Sequence, residues 1–180
     1  MERMRVLLAT RGRAAMTAGI VACLAALAWY LGSPLFIRTT VYEALPTAAA
    51  SAVAATSAPP GSTSAPTSAA GPATLATGAL GYVDPIHNGT GAVLLVRTGE
   101  ATVLRFDNVA ITNAPDVHVY LSRETGGRWT EATSLYLGPL KATNGSFNYA
   151  VPAGADLSLY TSVVVWCRQF SVLITWADLR

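Results

Sequence analysis

The hydrophobic and polar positions divide the chain into three regions of different pattern. Residues 14–37 contain no charged side chain, and residues 44–77 consist almost entirely of Ala, Ser, Thr, Pro and Gly. From residue 78 onward, apolar and polar positions alternate with the period of two that is typical of β-strands. We therefore expect a helix, a segment without regular structure and an all-β domain, in that order.

The uncharged segment at residues 14–37 is long enough for a transmembrane helix. As a helix it would extend about 36 Å, more than the roughly 30 Å of a bilayer's hydrocarbon core. Four arginines precede it and one follows closely. The positive-inside rule therefore predicts a single-pass cell-membrane protein, with residues 1–13 in the cytoplasm and the C-terminal domain extracytoplasmic. The alternatives are a cleaved signal peptide and lipidation of Cys23, but the apolar run is long for the first and continues past Cys23.

A low-complexity region then joins the predicted membrane helix to the β domain. Its alanines are interrupted by Pro59, Pro60, Pro66 and Pro72, and it contains few large apolar residues. Such a composition cannot bury enough apolar surface to offset the entropy lost on ordering. We therefore predict a disordered tether over residues 38–77.

The region at residues 78–180 has the pattern of a small all-β domain. Residues 90–97 and 101–106 are two β-prone runs around a turn that contains Gly99, which is typical of a hairpin. Residues 116–121 alternate strictly, and residues 162–167 are apolar on both faces, as in a central covered strand. These runs predict an antiparallel β-sandwich, with a small β-barrel as the alternative.

Charge and motifs exclude several classes of function. Acidic and basic residues of the β domain nearly balance and are interspersed, so no basic stripe is available for nucleic acid. The sequence contains no metalloprotease, serine-hydrolase, Cys-x-x-Cys or phosphate-loop motif. With only His87 and His118, a multi-histidine metal site is excluded, and we predict no metal. Asp116 and His118 share a strand face, an arrangement more often solvated than metal-binding.

Cys167 is the one residue with candidate redox chemistry. The other cysteine, Cys23, lies in the apolar segment, so Cys167 is an unpaired thiol in a domain predicted to be extracytoplasmic. A thiolate can be oxidised, form a mixed disulfide or ligate haem iron. From the residues alone, a buried small hydrophobe is the simpler interpretation.

The β domain resembles the DM-thirteen family, also called the electron-transfer DM domain. The resemblance extends from Gly91 to Leu179 and rests on the order and spacing of seven segments: residues 103–108, 114–122, 137–141, 148–152, 160–167, 170–172 and 177–179. Residues 32–37 and 43–46 are similar to the membrane-anchored bacterial members. Ala114 stands where a glycine is usual, and Ile174 where an aromatic residue is common.

The resemblance implies a β-rich extracytoplasmic redox module whose signature cysteine is Cys167. Cys167 is then the candidate catalytic redox thiol, and Cys167 with Trp166 the candidate cofactor site, with haem as a possible ligand. A redox or surface protein is the expected partner. The alternative is a non-catalytic interaction module that presents the loop at residues 123–133, with Trp129 at its tip. No catalytic motif beyond Cys167 indicates an enzyme.

Overall fold

The computed structural model describes residues 2–36, 38–46 and 71–180. It divides into two units, residues 1–37 and residues 38–180. The elements of the described residues are helix α1 (Glu2–Phe36) and strands β1 (Thr40–Tyr42), β2 (Ala73–Ala79), β3 (Gly89–Thr98), β4 (Ala101–Ile111), β5 (Val117–Ser122), β6 (Leu135–Pro139), β7 (Asn144–Ala150), β8 (Ser162–Cys167) and β9 (Val172–Asp178).

Helix α1 contains residues 14–36 of the predicted membrane segment. Its described side chains are those of residues 15–30, 32 and 33, of which residues 15–30 are all exposed. Within the described part of the chain, no helix is both long and apolar enough to cross a bilayer. The transmembrane helix predicted at residues 14–37 is therefore not supported by the described residues, and the membrane anchor stays a prediction.

The second unit forms two β-sheets, which confirms the predicted sandwich. One sheet has the strand order β1-β7-β4-β3-β2, and the other has the order β6-β5-β8-β9. All described pairs are antiparallel except β1 with β7, which are parallel. Because each sheet keeps its own edge strands, the alternative of a small β-barrel is wrong.

The tether prediction is wrong at both of its ends. β1 and β2, both predicted to be disordered, are the two edge strands of the five-stranded sheet. The remaining part of the predicted tether, residues 47–70, lies outside the described residues. Composition misled here because edge strands need backbone pairing more than large apolar side chains, and β2 pairs with β3 through small residues.

Polar contacts hold the segment around β1 in place. The Glu43 carboxylate accepts hydrogen bonds from the Asn148 backbone N–H at 2.8 Å and from Lys141 Nζ at 2.9 Å. Partial burial alone would raise the pKa of Glu43, but these donors outweigh it and lower that pKa. Gly145 has φ +106°, and a Cβ there would overlap the backbone of Val41. Only glycine therefore lets β1 approach β7 this closely.

The core lies between the two sheets and contains the alternating positions of their strands. Phe106 of β4 and Phe147 of β7 stack at 5.1 Å between ring centroids, and both are fully buried. From the other sheet, Val163, Val165 and Cys167 of β8 contribute to the same core. β8 lies between β5 and β9, so the prediction of a central strand at residues 162–167 is confirmed.

Candidate functional site

Cys167, the predicted redox thiol, lies on the inner face of β8. Its side chain is 0% exposed and belongs to the core between the sheets. The Sγ–H group donates a hydrogen bond to the carbonyl oxygen of Pro115 at 2.8 Å. The thiol is therefore closed off by the turn that leads into β5 and is not presented to solvent.

A single turn covers the thiol. Asp116 in this turn has φ +57°, a left-handed conformation that Asp and Asn tolerate better than other non-glycine residues. Its carbonyl oxygen accepts a hydrogen bond from the Arg168 N–H at 3.0 Å. A cavity of about 250 Å³ lies beside the turn, lined by Ala114, Asp116 and Val117 among others, but Cys167 does not line it. The sulfur is thus not open to this cavity.

Cys167 and Trp166, the predicted cofactor site, do not fit a shared haem in this conformation. Adjacent residues of a strand point to opposite faces, so Trp166 lies on the outer face of the sheet while Cys167 faces the core. The sulfur has no open coordination space, since its hydrogen bond and its packing fill its surroundings. The geometry therefore carries no step through a haem group.

Metal ligands are not clustered in the described part of the chain. No group of three or more His, Cys, Asp or Glu side chains is placed to hold a metal ion there. Asp116 and His118 do meet, with His118 Nε2 2.6 Å from Asp116 Oδ1. His118 is buried and its other ring nitrogen contacts the Tyr136 hydroxyl, so both of its ring nitrogens already have protein partners.

The outer face of the four-stranded sheet carries a continuous group of aromatic side chains. We call this group the aromatic face; its members are His118 and Tyr120 of β5, Trp129 of the loop between β5 and β6, Tyr136 of β6 and Trp166 of β8. Neighbouring ring centroids are 4.6 to 5.6 Å apart along the order His118, Tyr136, Tyr120, Trp129, Trp166. The rings therefore form one unbroken path across three strands.

Trp129 joins this path because its loop folds back over the sheet. Gly126 and Gly127 have φ of +66° and +76°, and a Cβ on Gly127 would collide with the Leu173 side chain. The Ser162 hydroxyl fixes the loop by donating to a backbone carbonyl of Glu124. Trp129 is consequently half-buried between two rings and does not lie at an exposed tip of the loop, where the sequence had placed it.

A guanidinium group lies over the aromatic face. Arg168 is 4.7 Å from the Tyr136 ring centroid and 5.5 Å from that of Tyr120, and its Nε donates to the Tyr120 hydroxyl at 2.7 Å. Burial raises the pKa of Tyr120, although the Arg168 hydrogen bond opposes that rise. Burial would lower the pKa of Arg168, but the contact with Tyr120 outweighs it and raises that pKa. Arg168 therefore stays positively charged beside these rings.

Of the two tyrosines in the aromatic face, Tyr136 is the more exposed to solvent. Its side chain is 43% exposed, whereas Tyr120 is 1% exposed. The Tyr136 hydroxyl is 2.9 Å from His118 Nδ1. A phenol, an imidazole and a carboxylate thus follow one another by hydrogen bonds from Tyr136 to Asp116.

Sequence reasoning missed Tyr136 and Arg168. Alternation along β5 placed His118 and Tyr120 on one face, and the structure confirms that placement. Tyr136 could not be added, because the pairing of β6 with β5 depends on strand order that no local pattern reveals. Arg168 lies just after β8, where no local pattern indicates the rings that it contacts.

Comparison with known proteins identifies a family but no individual relative. The model of the family described as Electron transfer DM13 matches residues 83–179, more than half of the chain. No curated protein and no solved structure matches the chain significantly. The matched region begins after β2, so both edge strands of the five-stranded sheet lie outside it, whereas the aromatic face and Cys167 lie within it.

Proposed function

The chain belongs to the electron transfer DM13 family, and we propose that its sandwich exchanges single electrons with a protein partner at the aromatic face. One observation carries this proposal: five rings in contact lead across the outer face of one sheet inside the family-matched region. Aromatic rings in contact let an unpaired electron move in short steps, because each transfer covers only the gap between neighbours.

The partner that this face suits is a protein with a strongly oxidising one-electron centre. Tryptophan and tyrosine side chains give up electrons only to strong oxidants. One electron passes from a ring to the oxidising centre of the partner, which is thereby reduced by one electron. A one-electron reductant later returns an electron to the ring. Half-exposed aromatic groups beside a fixed positive charge are also common anchors of protein interfaces.

In this proposal Cys167 has a second role, thiol–disulfide exchange, which requires the turn over its sulfur to open first. In the described conformation the turn at residues 113–116 covers the sulfur, so a partner can react with it only after this turn lifts. The thiol would then lose its proton to solvent, and the thiolate would attack a partner disulfide. A mixed disulfide with Cys167 forms, and the partner's second sulfur leaves as a thiolate.

A membrane anchor completes the proposal. Residues 14–37 lack charge, and within α1 the side chains of Ile20, Leu24 and Leu27 are each more than half exposed. Exposed apolar side chains in such number favour lipid contact. The sandwich would then lie on the extracytoplasmic side. Alkaline carbonate washing of membranes should leave the full-length protein in the pellet; recovery in the wash would contradict the anchor.

Flash photolysis tests the electron-transfer role. In the full-length protein, a photogenerated ruthenium(III) tris-bipyridine oxidant should create a tryptophan radical that converts into a tyrosine radical within the aromatic face. Trp129→Leu removes the ring that joins Trp166 to Tyr120 and should stop that conversion from Trp166. Trp29→Leu is the matched control, since it removes an exposed tryptophan outside the sandwich.

Two results would contradict the proposal. One is a tryptophan radical that decays without any tyrosine radical in the wild-type protein. The other is conversion that proceeds equally fast in the Trp129→Leu protein, because the path through the aromatic face would then be irrelevant. Conversion that is lost in Trp129→Leu and kept in Trp29→Leu supports it.

A further inference from the structure

We propose that Tyr136 is the residue on which the unpaired electron of the aromatic face comes to rest, with His118 as the acceptor of its phenol proton. This inference rests on the proposed function and names the group at which that function operates. It follows from three side chains, Tyr136, His118 and Asp116, which lie in one hydrogen-bonded row.

The direction of the hydrogen bonds is set by the carboxylate. An ionised carboxylate only accepts, so the 2.6 Å contact of Asp116 Oδ1 requires a hydrogen on His118 Nε2. In a neutral imidazole the other nitrogen, Nδ1, is then an acceptor. When His118 is neutral, the Tyr136 hydroxyl, 2.9 Å from Nδ1, therefore donates its hydrogen to it. The phenol proton already points at a base.

This geometry matters because a phenol that loses an electron becomes a very strong acid. Oxidation of Tyr136 removes one electron from the ring, which the oxidant or an oxidised neighbouring ring accepts. The phenol O–H bond breaks, and its proton forms a new N–H bond at His118 Nδ1. The products are a neutral phenoxyl radical and an imidazolium, whose charge the Asp116 carboxylate balances. Reduction reverses both transfers.

Arg168 favours this coupled route over loss of an electron alone. Its guanidinium lies 4.7 Å above the Tyr136 ring and would repel a radical cation formed there. A neutral phenoxyl radical is not repelled in this way. The positive charge of Arg168 therefore favours an oxidation in which Tyr136 loses its proton to His118 together with the electron. Trp129 and Trp166 have no comparable base among their described hydrogen bonds.

Tyr120, the other tyrosine of the aromatic face, is less suited to hold the radical. Its oxygen accepts a hydrogen bond from Arg168 Nε, and its nearest described proton acceptor is Glu131 Oε1 at 3.4 Å. A long contact to a weakly basic carboxylate transfers a proton less readily than a 2.9 Å contact to an imidazole. Tyr120 is also almost fully buried, and therefore lies away from a partner.

Two substitutions in the full-length protein test the inference. Tyr136→Phe keeps the ring but removes the phenol, and should abolish most of the tyrosine-radical signal in electron paramagnetic resonance after flash oxidation. His118→Gln keeps Tyr136 but removes the base, and should slow formation of its radical on the order of a hundredfold. Tyr42→Phe is the matched control, because Tyr42 is exposed and lies outside the aromatic face.

Asp116→Asn gives a third measurement if His118→Gln does not fold. Asparagine tolerates the φ of +57° at this position, so the turn should be kept while the charge that balances the imidazolium is lost. We expect slower radical formation together with a changed solvent deuterium isotope effect. A purely structural role of Asp116 would leave the isotope effect unchanged.

The outcomes separate this inference from the proposed function. A tyrosine radical that forms in the wild-type protein and persists in Tyr136→Phe overturns the inference and leaves the electron-transfer role standing. A radical on Tyr136 that forms at an unchanged rate in both His118→Gln and Asp116→Asn also overturns it. The absence of any tyrosine radical in the wild-type protein overturns both. A loss in Tyr136→Phe with slowing in His118→Gln supports it.

Discussion

The two faces of β8 differ in how their redox-capable side chains meet the surroundings. On the inner face, Cys167 is 0% exposed and its thiol is hydrogen-bonded to a backbone carbonyl. On the outer face, Trp166 belongs to a row of rings that includes the half-exposed Tyr136. A single strand therefore offers a closed group on one side and an open path on the other. Only the open side can react with a partner without local unfolding.

The largest expected effect is the protection of the Cys167 thiol. In a Cys23→Ser protein, which leaves one thiol, maleimide labelling should be slower than in denaturant by about a thousandfold or more. The reason is that the sulfur reacts only from an opened state several kcal/mol above the folded one. Labelling at similar rates in both conditions would contradict the closed inner face and favour a directly accessible redox thiol.

The covering turn can be opened selectively to sharpen this comparison. In the same Cys23→Ser protein, Asp116→Ala places alanine at φ +57°, at a cost of about 1–2 kcal/mol, and removes the contact with His118. Labelling of Cys167 should accelerate about tenfold, provided that the thiol is reached by lifting the turn. Asp116→Asn is the control and should label at nearly the wild-type rate. Equal rates for the two variants would show that the sulfur is reached by another route.

Substitution on the outer face should have a smaller effect, confined to that face. Trp129→Leu loses ring contacts with Tyr120 and Trp166 and should lower the free energy of unfolding by about 2 kcal/mol, measured by denaturant titration. Labelling of Cys167 through the turn should change little. If Trp129→Leu accelerated labelling as much as Asp116→Ala, the two faces would be coupled and the comparison would fail.

The sequence predicted the strands of the sandwich better than it predicted which side chains meet on each face. Alternation along β5 and the apolar run at residues 162–167 indicated the sandwich and its central strand, because side-chain period is a local property. The burial of Cys167 agrees with the simpler interpretation of a cysteine in an apolar strand. The entry of Tyr136 into the aromatic face depends on pairing between distant strands, which leaves no local signal. β1 and β2 were missed because backbone pairing, and not composition, defines edge strands.

Alkaline titration compares the two sides through their buried phenols. Burial raises the pKa of Tyr149 in the core strongly, and that of Tyr120 in the aromatic face less. A phenol whose pKa is raised by folding contributes stability that is present below its unfolded value, about 10, and lost as pH rises through the folded value. The free energy of unfolding should therefore fall above about pH 10.

The slope of that fall distinguishes the two phenols. Tyr149→Phe removes a group that the folded core keeps protonated while the unfolded chain ionises, so the decline above about pH 10 should become shallower. Tyr120→Phe should flatten it less, because Arg168 offsets part of its shift. The exposed Tyr42→Phe control should leave the slope unchanged. Equal flattening by Tyr120→Phe and Tyr149→Phe would mean that the outer face is as dry as the core.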